Sequence, residues 1–319
     1  MGNKTRKRLI HHFKMDVRLH SKVKHLIIAY YFGIFKNFLS SKGPMYSLCY
    51  ADLFAGDGKC TCSQMPDELV EYYPDDCPRE WLPPYFSLFK YAEERKFKLK
   101  CMFNDLNPEH VESLRRSTAD YSNFIADIGN QDANQYYKRA LDLIGDPGKP
   151  SLFFLDPTNH DHLSFSTIEG IASFEDKAKG RKPELIINLM AYSMLEAVTR
   201  GRQKDYDTIT KSLGTDTWIE KLEEYRAIQK THELFRDAFL WKLHDLGYYT
   251  TDYLIKSTKV RSPVFYLVFA TSQKRTYEVH KDMKEPVEKI MAENWVARNF
   301  EVYKMIEAKK KGYKFIWEY

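Results

Sequence analysis

Asp52-Leu53-Phe54-Ala55-Gly56-Asp57-Gly58 puts a carboxylate and two glycines directly after Leu48-Cys49-Tyr50-Ala51, a continuous apolar run. Such a run suits a parallel strand buried on both faces. The glycines let the backbone that follows adopt angles and close approaches that a Cβ forbids. The stretch therefore predicts a first strand turning into a ligand-binding loop, the opening half of a Rossmann-type fingerprint. Taken alone it also fits a plain glycine turn, and the surrounding chain decides between the two.

Upstream, apolar residues recur at helical spacing from Ser21 to Leu39, until Gly43-Pro44 stops the run. This predicts a helix packed before the first strand, with its aromatic residues in the core. Downstream, Lys59 to Pro84 is rich in Pro, Asp and Cys without a period and reads as an insertion. A helix from Tyr85 to Lys98 follows Pro83-Pro84. Lys100 to Phe103 predicts a second strand ending at Asn104-Asp105, and Asn107-Pro108-Glu109 opens another helix. Ser122 to Ala126 predicts a third strand ending at Asp127, before a helix from Asp132 to Leu143. Ser151 to Leu155, ending in Asp156-Pro157, is the fourth; Glu184 to Met190, after a helix at about Ser166 to Lys177, is the fifth. Alternation of this kind means right-handed crossovers and a parallel sheet.

Tyr248 to Lys256 and Pro263 to Thr271 are two β-rich runs joined by a connection short enough only for an antiparallel hairpin. The expected fold is thus α/β, a doubly wound, mostly parallel Rossmann-like sheet of class I methyltransferase type with an antiparallel terminal hairpin and helical additions. The expected organisation is a basic helical segment over 1–46, an α/β domain over 47–272 with a helical cap at about 193–247 on the ligand side, and a charged helical segment over 273–319.

The 319 residues carry a formal charge of +5, too small to argue for nucleic acid from the total. Distribution matters more. Lys4, Arg6, Lys7 and Arg8 open a basic segment that reaches His25 with a single acid, Asp16. It can contact phosphate backbones, or it can be a solvated terminus. Five cysteines and no apolar leader beside the basic start argue against a disulfide framework. Cys60, Cys62 and Cys77 lack C-x-x-C spacing and a close histidine, so no metal site is expected. No run approaches the ~18 apolar residues of a membrane span, and the expectation is a soluble, cytoplasmic protein.

Ligands of open α/β sheets bind beyond the carboxyl ends of the strands, where strand order reverses. Asp52, Asp105, Asp127 and Asp156 end four successive predicted strands. The expected cofactor set is Asp52, Phe54, Gly56, Gly58, Asp105 and Asp127. The glycines would admit the ligand, Asp105 would take two ribose hydroxyls, Asp127 an adenine amino group, and Asp52 a cationic amino group. An acidic rim disfavours a pyrophosphate and favours S-adenosylmethionine. Strand-end acids also cap the next helix, the other role open to Asp127 and Asp105.

Asp156-Pro157-Thr158-Asn159 stands where methyltransferases acting on amino groups place a catalytic tetrapeptide, but the second proline and the aromatic are missing. Asp156 and Asn159 are candidates to position an acceptor, and His160 or His162 to act as a base, although loop histidines often have no role. A Pro-Cys nucleophile for carbon methylation is absent; Cys77-Pro78 is reversed.

The Ser21 to Leu39 helix, Tyr50-Ala51-Asp52-Leu53-Phe54-Ala55-Gly56-Asp57-Gly58, Phe154-Leu155-Asp156-Pro157 and Phe265 to Thr271 together resemble the three-Cys-motif partner family of mobile-element and prokaryotic gene neighbourhoods. The resemblance implies a class I methyltransferase-like fold and an S-adenosylmethionine-type pocket at Gly56, Gly58, Asp105 and Asp127. It also implies a partner protein with a three-cysteine, radical-type iron-sulfur motif. The leading expectation is methyl transfer to nucleic acid. The alternatives are a non-catalytic partner protein of the same fold and, more remotely, a Mg²⁺-dependent hydrolase using Asp52, Asp105 and Asp156.

Overall fold

The computed structural model describes residues 19–40, 47–62, 80–256 and 263–293. Strands Ser47–Asp52 (β1), Lys98–Asn104 (β2), Ile125–Gly129 (β3), Ser151–Leu155 (β4), Glu184–Leu189 (β5), Tyr249–Lys256 (β6) and Pro263–Thr271 (β7) form one sheet in the order β3-β2-β1-β4-β5-β7-β6. β1 to β5 pair in parallel, and β7 runs antiparallel to both neighbours. The chain thus starts in the middle, winds outward to β3, and crosses back to lay β4 beside β1. That reversal opens a crevice between β1 and β4.

Side-chain alternation feeds two cores. Leu48, Tyr50, Leu152, Phe154, Phe265, Leu267 and Phe269 face one; Cys49, Ala51, Phe153, Leu155, Tyr266, Val268 and Ala270 face the other. The first core is covered by helices Leu19–Ser40 (α1) and Tyr85–Arg95 (α2), with Leu114 of helix Pro108–Ser117 (α3). Tyr31, Phe32 and Phe35 of α1 lie in this core, with Tyr31 edge-on to Phe269 at 5.3 Å, whereas Tyr30 is exposed. α3 begins at Pro108, where the fixed φ suits a first turn, and Asn107 caps it by accepting the Glu109 N–H. Helices Ala133–Ile144 (α4) and Phe165–Ala172 (α5) cover the second core. Among the described residues no helix is long and apolar enough to cross a membrane.

Three expectations need correction. β3 starts at Ile125, because Ala119–Phe124 forms a 3₁₀ turn whose Tyr121 and Phe124 rings stack on Phe89 at 4.7 and 5.9 Å. Asp127 is therefore inside the strand and not at its end. The segment expected to cap the ligand side folds as helices Ala191–Arg200 (α6), Gln203–Leu213 (α7), Leu222–Ala227 (α8) and Thr231–Asp245 (α9). Met194, Ile209, Leu213, Trp218, Phe235 and Phe239 bury it in the second core, so it is mainly a layer on the sheet, with the first turns of α6 reaching the ligand side. The terminal helix divides into Lys274–Asp282 (α10) and Lys284–Glu293 (α11), with Met283 and Val287 in the first core; the rest of the expected segment, 294–319, lies outside the described residues. The two ends of the Lys59 insertion meet, with Cys60–Thr61 pairing antiparallel to Glu80–Trp81.

Candidate functional site

A cleft of about 980 Å³ opens at the carboxyl ends of β1, β2, β4 and β5 and spans the reversal of strand order. Its volume lies at the upper end of small-molecule sites. One half is walled by the loops after β1, β2 and β3, the other by the loops after β4 and β5, the first turns of α1 and α6, and Phe265 of β7.

Asn104 fixes the first half. Wholly buried, it donates through Nδ2 to the Leu53 and Gln131 carbonyls at 3.1 and 2.9 Å and accepts the Gln131 N–H at 3.1 Å. Three strand ends are thereby locked together. Asp105 next to it accepts the Gly56 and Asn107 N–H groups at 3.1 and 2.8 Å and lies 3.1 Å from His110 Nδ1. The hydrogen bond to Asp105 raises the His110 pKa. Asp105 lines the cleft, and its carboxylate keeps about one lone pair, on Oδ2, beyond those three contacts. Leu106 is 72% exposed on the same wall, an apolar surface ready for a flat ring. Phe54 is half-buried and also faces the cleft.

The other members of the expected cofactor set sit elsewhere. Asp127 binds Tyr136 Oη at 3.1 Å and Arg139 Nε at 3.4 Å on α4, outside the cleft. Gln131 and Asp132, beyond the true end of β3, line the cleft in its place. Gly56 (φ 66°) orients its N–H toward Asp105 and is not part of the cleft wall. Gly58 (φ 82°) faces α3, and a Cβ there would come within 1.9 Å of Ser117 Oγ. The glycines shape the loop, one through its N–H to Asp105 and the other through its close approach to α3. Asp52 is 3% exposed, accepts the Phe54 N–H at 3.1 Å and lies 3.4 Å from Tyr50 Oη. Burial, with Asp156 nearby, pushes its pKa up to about 8, which disfavours the charged form that an ammonium group would need.

In the second half both oxygens of Asp156 lie 2.5 and 2.6 Å from Lys24 Nζ, and Oδ1 accepts from Asn188 Nδ2 at 2.7 Å. Lys24 also sits 5.4 Å from the Phe265 ring centroid. Asn159 is on the cleft wall and accepts the His160 N–H. His160 itself turns away. Its Nδ1 meets Ser193 Oγ at 2.7 Å and its Nε2 meets Thr208 Oγ1 at 3.2 Å, with the residue 5% exposed. Burial lowers its pKa, and its two engaged nitrogens tie the β4 loop to α6 and α7. It is not a base for this cleft. His162 does line the cleft, 3.0 Å from Thr158 Oγ1. Lys4, Arg6, Lys7 and Arg8 lie outside the described residues.

Lys24, His25, Leu106 and Asn188 were not expected at the site. Only Lys24 leaves a signal: it is a lysine on the apolar arc that Ile28, Tyr31 and Phe35 continue at helical spacing.

No protein-family model matches the chain, and no curated protein matches its sequence. Similar solved structures include a cofactor-bound protein, Rv0187, from MTB, at 10% identity over 82% of this chain and 84% of that one, with a TM-score of 0.39. Another is magnesium protoporphyrin IX methyltransferase from Synechocystis PCC 6803 with bound SAH, at 13% identity over 82% and 90%, with a TM-score of 0.37. The strand order itself, with its antiparallel seventh strand, is that of the class I methyltransferase sheet.

Proposed function

We propose that the protein binds S-adenosylmethionine in this cleft and transfers its methyl group to nucleic acid. The observation that carries the reading is one cleft across the reversal of strand order, with Asp105 and Leu106 on one wall and Asp156 on the other. The residues suit the cofactor: Asp105 for a ribose hydroxyl, Leu106 against the adenine, Gln131 and Asp132 for its polar edge. A positively charged ligand is favoured beside these carboxylates. The bound cofactor supplies a methyl group already activated on a sulfonium. Asp156 and Asn159 hold the acceptor, and alignment in the cleft provides most of the rate.

Isothermal titration with S-adenosylmethionine and S-adenosylhomocysteine tests the reading. Saturable binding, weakened about tenfold or more in Asp105→Ala as charged hydrogen bonds are lost, is the expected result. No heat at millimolar ligand would remove it. The nucleic-acid acceptor is supported by the basic segment that precedes α1, whose first turns wall the cleft.

A second reading is a non-catalytic protein of this fold that binds nucleic acid or a radical-type iron-sulfur partner. The Lys24 ammonium on Asp156 favours it, because with Asn188 it engages both oxygens of the carboxylate an acceptor would use and leaves about one lone pair, on Oδ2. Salt-sensitive nucleic-acid binding without cofactor binding would select it.

A further inference from the structure

We propose that the second half of the cleft recognises a primary amino group on a flat heteroaromatic ring, Asp156 and Asn188 taking its two N–H groups and His25 donating to the ring atom beside it. This names the acceptor class of the methyltransferase reading and rests on that reading.

Asn188 supplies the first observation. It is 4% exposed at the cleft, and its Nδ2 donates to Asp156, which sets the orientation of the amide. Its Oδ1 is then a buried acceptor with no hydrogen-bond partner. Such orphans are rare in folded proteins and call for a donor. β4 and β5 pair in register, Leu155 opposite Ile187, so Asp156 and Asn188 stand side by side at the strand ends. An amino group has two N–H bonds and one lone pair. Two adjacent acceptors hold the hydrogens and leave the lone pair free to attack.

His25 supplies the second. Trp81 Nε1 donates to its Nδ1 at 2.9 Å. An indole nitrogen only donates, so Nδ1 is the bare nitrogen and Nε2 carries the proton. Nε2 has no hydrogen-bond partner among the described residues, and the ring lines the cleft. The charged and titratable groups facing the ring are Lys24, Asp156 and Cys60, whose Sγ is 3.7 Å from Nδ1; Lys22 lies over the Trp81 ring. Burial, then Lys24, lower the His25 pKa to about 3. At neutral pH His25 is a fixed donor and cannot act as a base. The small strand pair closing the Lys59 insertion brings Trp81 to this position.

Ring shape and charge narrow the class. Phe265, with His20 edge-on at 5.7 Å, gives this half an aromatic wall. An alkylamine would arrive as a cation beside Lys24, without a lone pair, whereas a heteroaromatic amine is neutral. In transfer the amine nitrogen forms a bond to the methyl carbon as the carbon–sulfur bond breaks, its electron pair remaining on sulfur. One N–H proton passes to the Asp156 carboxylate.

The test uses full-length protein labelled with ¹⁵N-histidine and saturated with S-adenosylhomocysteine. Cytidine presents an amine beside a bare ring nitrogen, and uridine presents the reverse pattern. Cytidine is expected to shift the His25 Nε2 resonance and to bind about tenfold or more tighter than uridine. Asn188→Leu is expected to reduce that preference while leaving S-adenosylhomocysteine affinity unchanged, with thermal unfolding as the folding control. His25 should stay in the Nε2–H form from pH 5 to 8, and Trp81→Phe, by removing the donor that keeps Nδ1 bare, should let the Nδ1–H tautomer appear. Equal affinity for the two nucleosides, or a proton on Nδ1, overturns the proposal. If S-adenosylhomocysteine fails to bind, the cofactor reading falls, and the same nucleoside comparison on free protein still decides this one.

Discussion

Asp52 makes folding depend on pH in an unusual direction. The unfolded chain ionises this carboxyl near 3.8 and the folded chain near 8, so between those values the folded state holds the extra proton. Stability therefore falls as pH rises across that window, by at most about 1.4 kcal/mol per unit. Asp52→Asn is expected to match the parent near pH 4 and to gain on it toward pH 8 in urea melts; an unchanged difference across the series would show that Asp52 ionises early. His25 works in the opposite sense. Its folded pKa of about 3 lies below the ordinary 6.5, so its contribution is present above pH 6.5 and is lost as pH falls through the window. His25→Gln should flatten the acid flank of the stability curve, read by the same melts. Both effects were hidden in the sequence. Asp52 occupies a strand-end position that reads as ligand-facing, but it shares the face of Leu48 and Tyr50 and so lies under the first helical layer. Which face a helix covers is decided by distant chain, not by the strand's own residues.

The loop after β1 is held by its contact with α3. At Gly58 the left-handed φ and a Cβ within 1.9 Å of Ser117 Oγ and 2.9 Å of Ser117 Cβ act together. Gly58→Ala should cost about 1–3 kcal/mol, from backbone strain plus overpacking. Adding Ser117→Gly should recover part of the loss, since it removes the clash and leaves the φ penalty; full recovery in chemical denaturation would show that φ is not strained. The same elements mark how far sequence reasoning reached. β1, β4 and the β6–β7 hairpin were legible because buried strands read as apolar runs and a short connection permits only antiparallel pairing. β3 was displaced because it is a half-buried edge strand with a weak apolar signal, next to a 3₁₀ turn whose rings imitate one. The helical stretch after β5 was recognised, but its layer was not, because periodicity states that a face is buried without saying against what. α1 was seen as a core helix, yet its Lys24 and His25 gained meaning only when Asp156 and Trp81, remote in sequence, came beside them.

For the whole molecule, the cleft draws residues from both halves of the sheet, so a ligand there bridges β1–β3 to β4, β5 and α1. A ligand that binds only the folded state at one hundred times its dissociation constant adds about 2.7 kcal/mol. For a chain of this length that is a rise of roughly 4 °C in Tm. S-adenosylmethionine should produce it in a thermal shift assay, and Asp105→Ala should lose about half of it or more. Nucleic-acid binding is a separate matter of the basic start. Each phosphate neutralised adds about 0.9 to the negative slope of log K against log salt on duplex DNA, and about 0.7 on single strands. Replacing Lys4, Arg6, Lys7 and Arg8 together by alanine should therefore flatten the slope by about 3 to 4 units if all four meet phosphates. Cofactor affinity should remain as it was, because Asp105, Leu106 and Gln131 are untouched. A slope that does not change, measured by fluorescence anisotropy between low and moderate salt, would assign the charge of this segment to solvation and remove its part in the acceptor proposal.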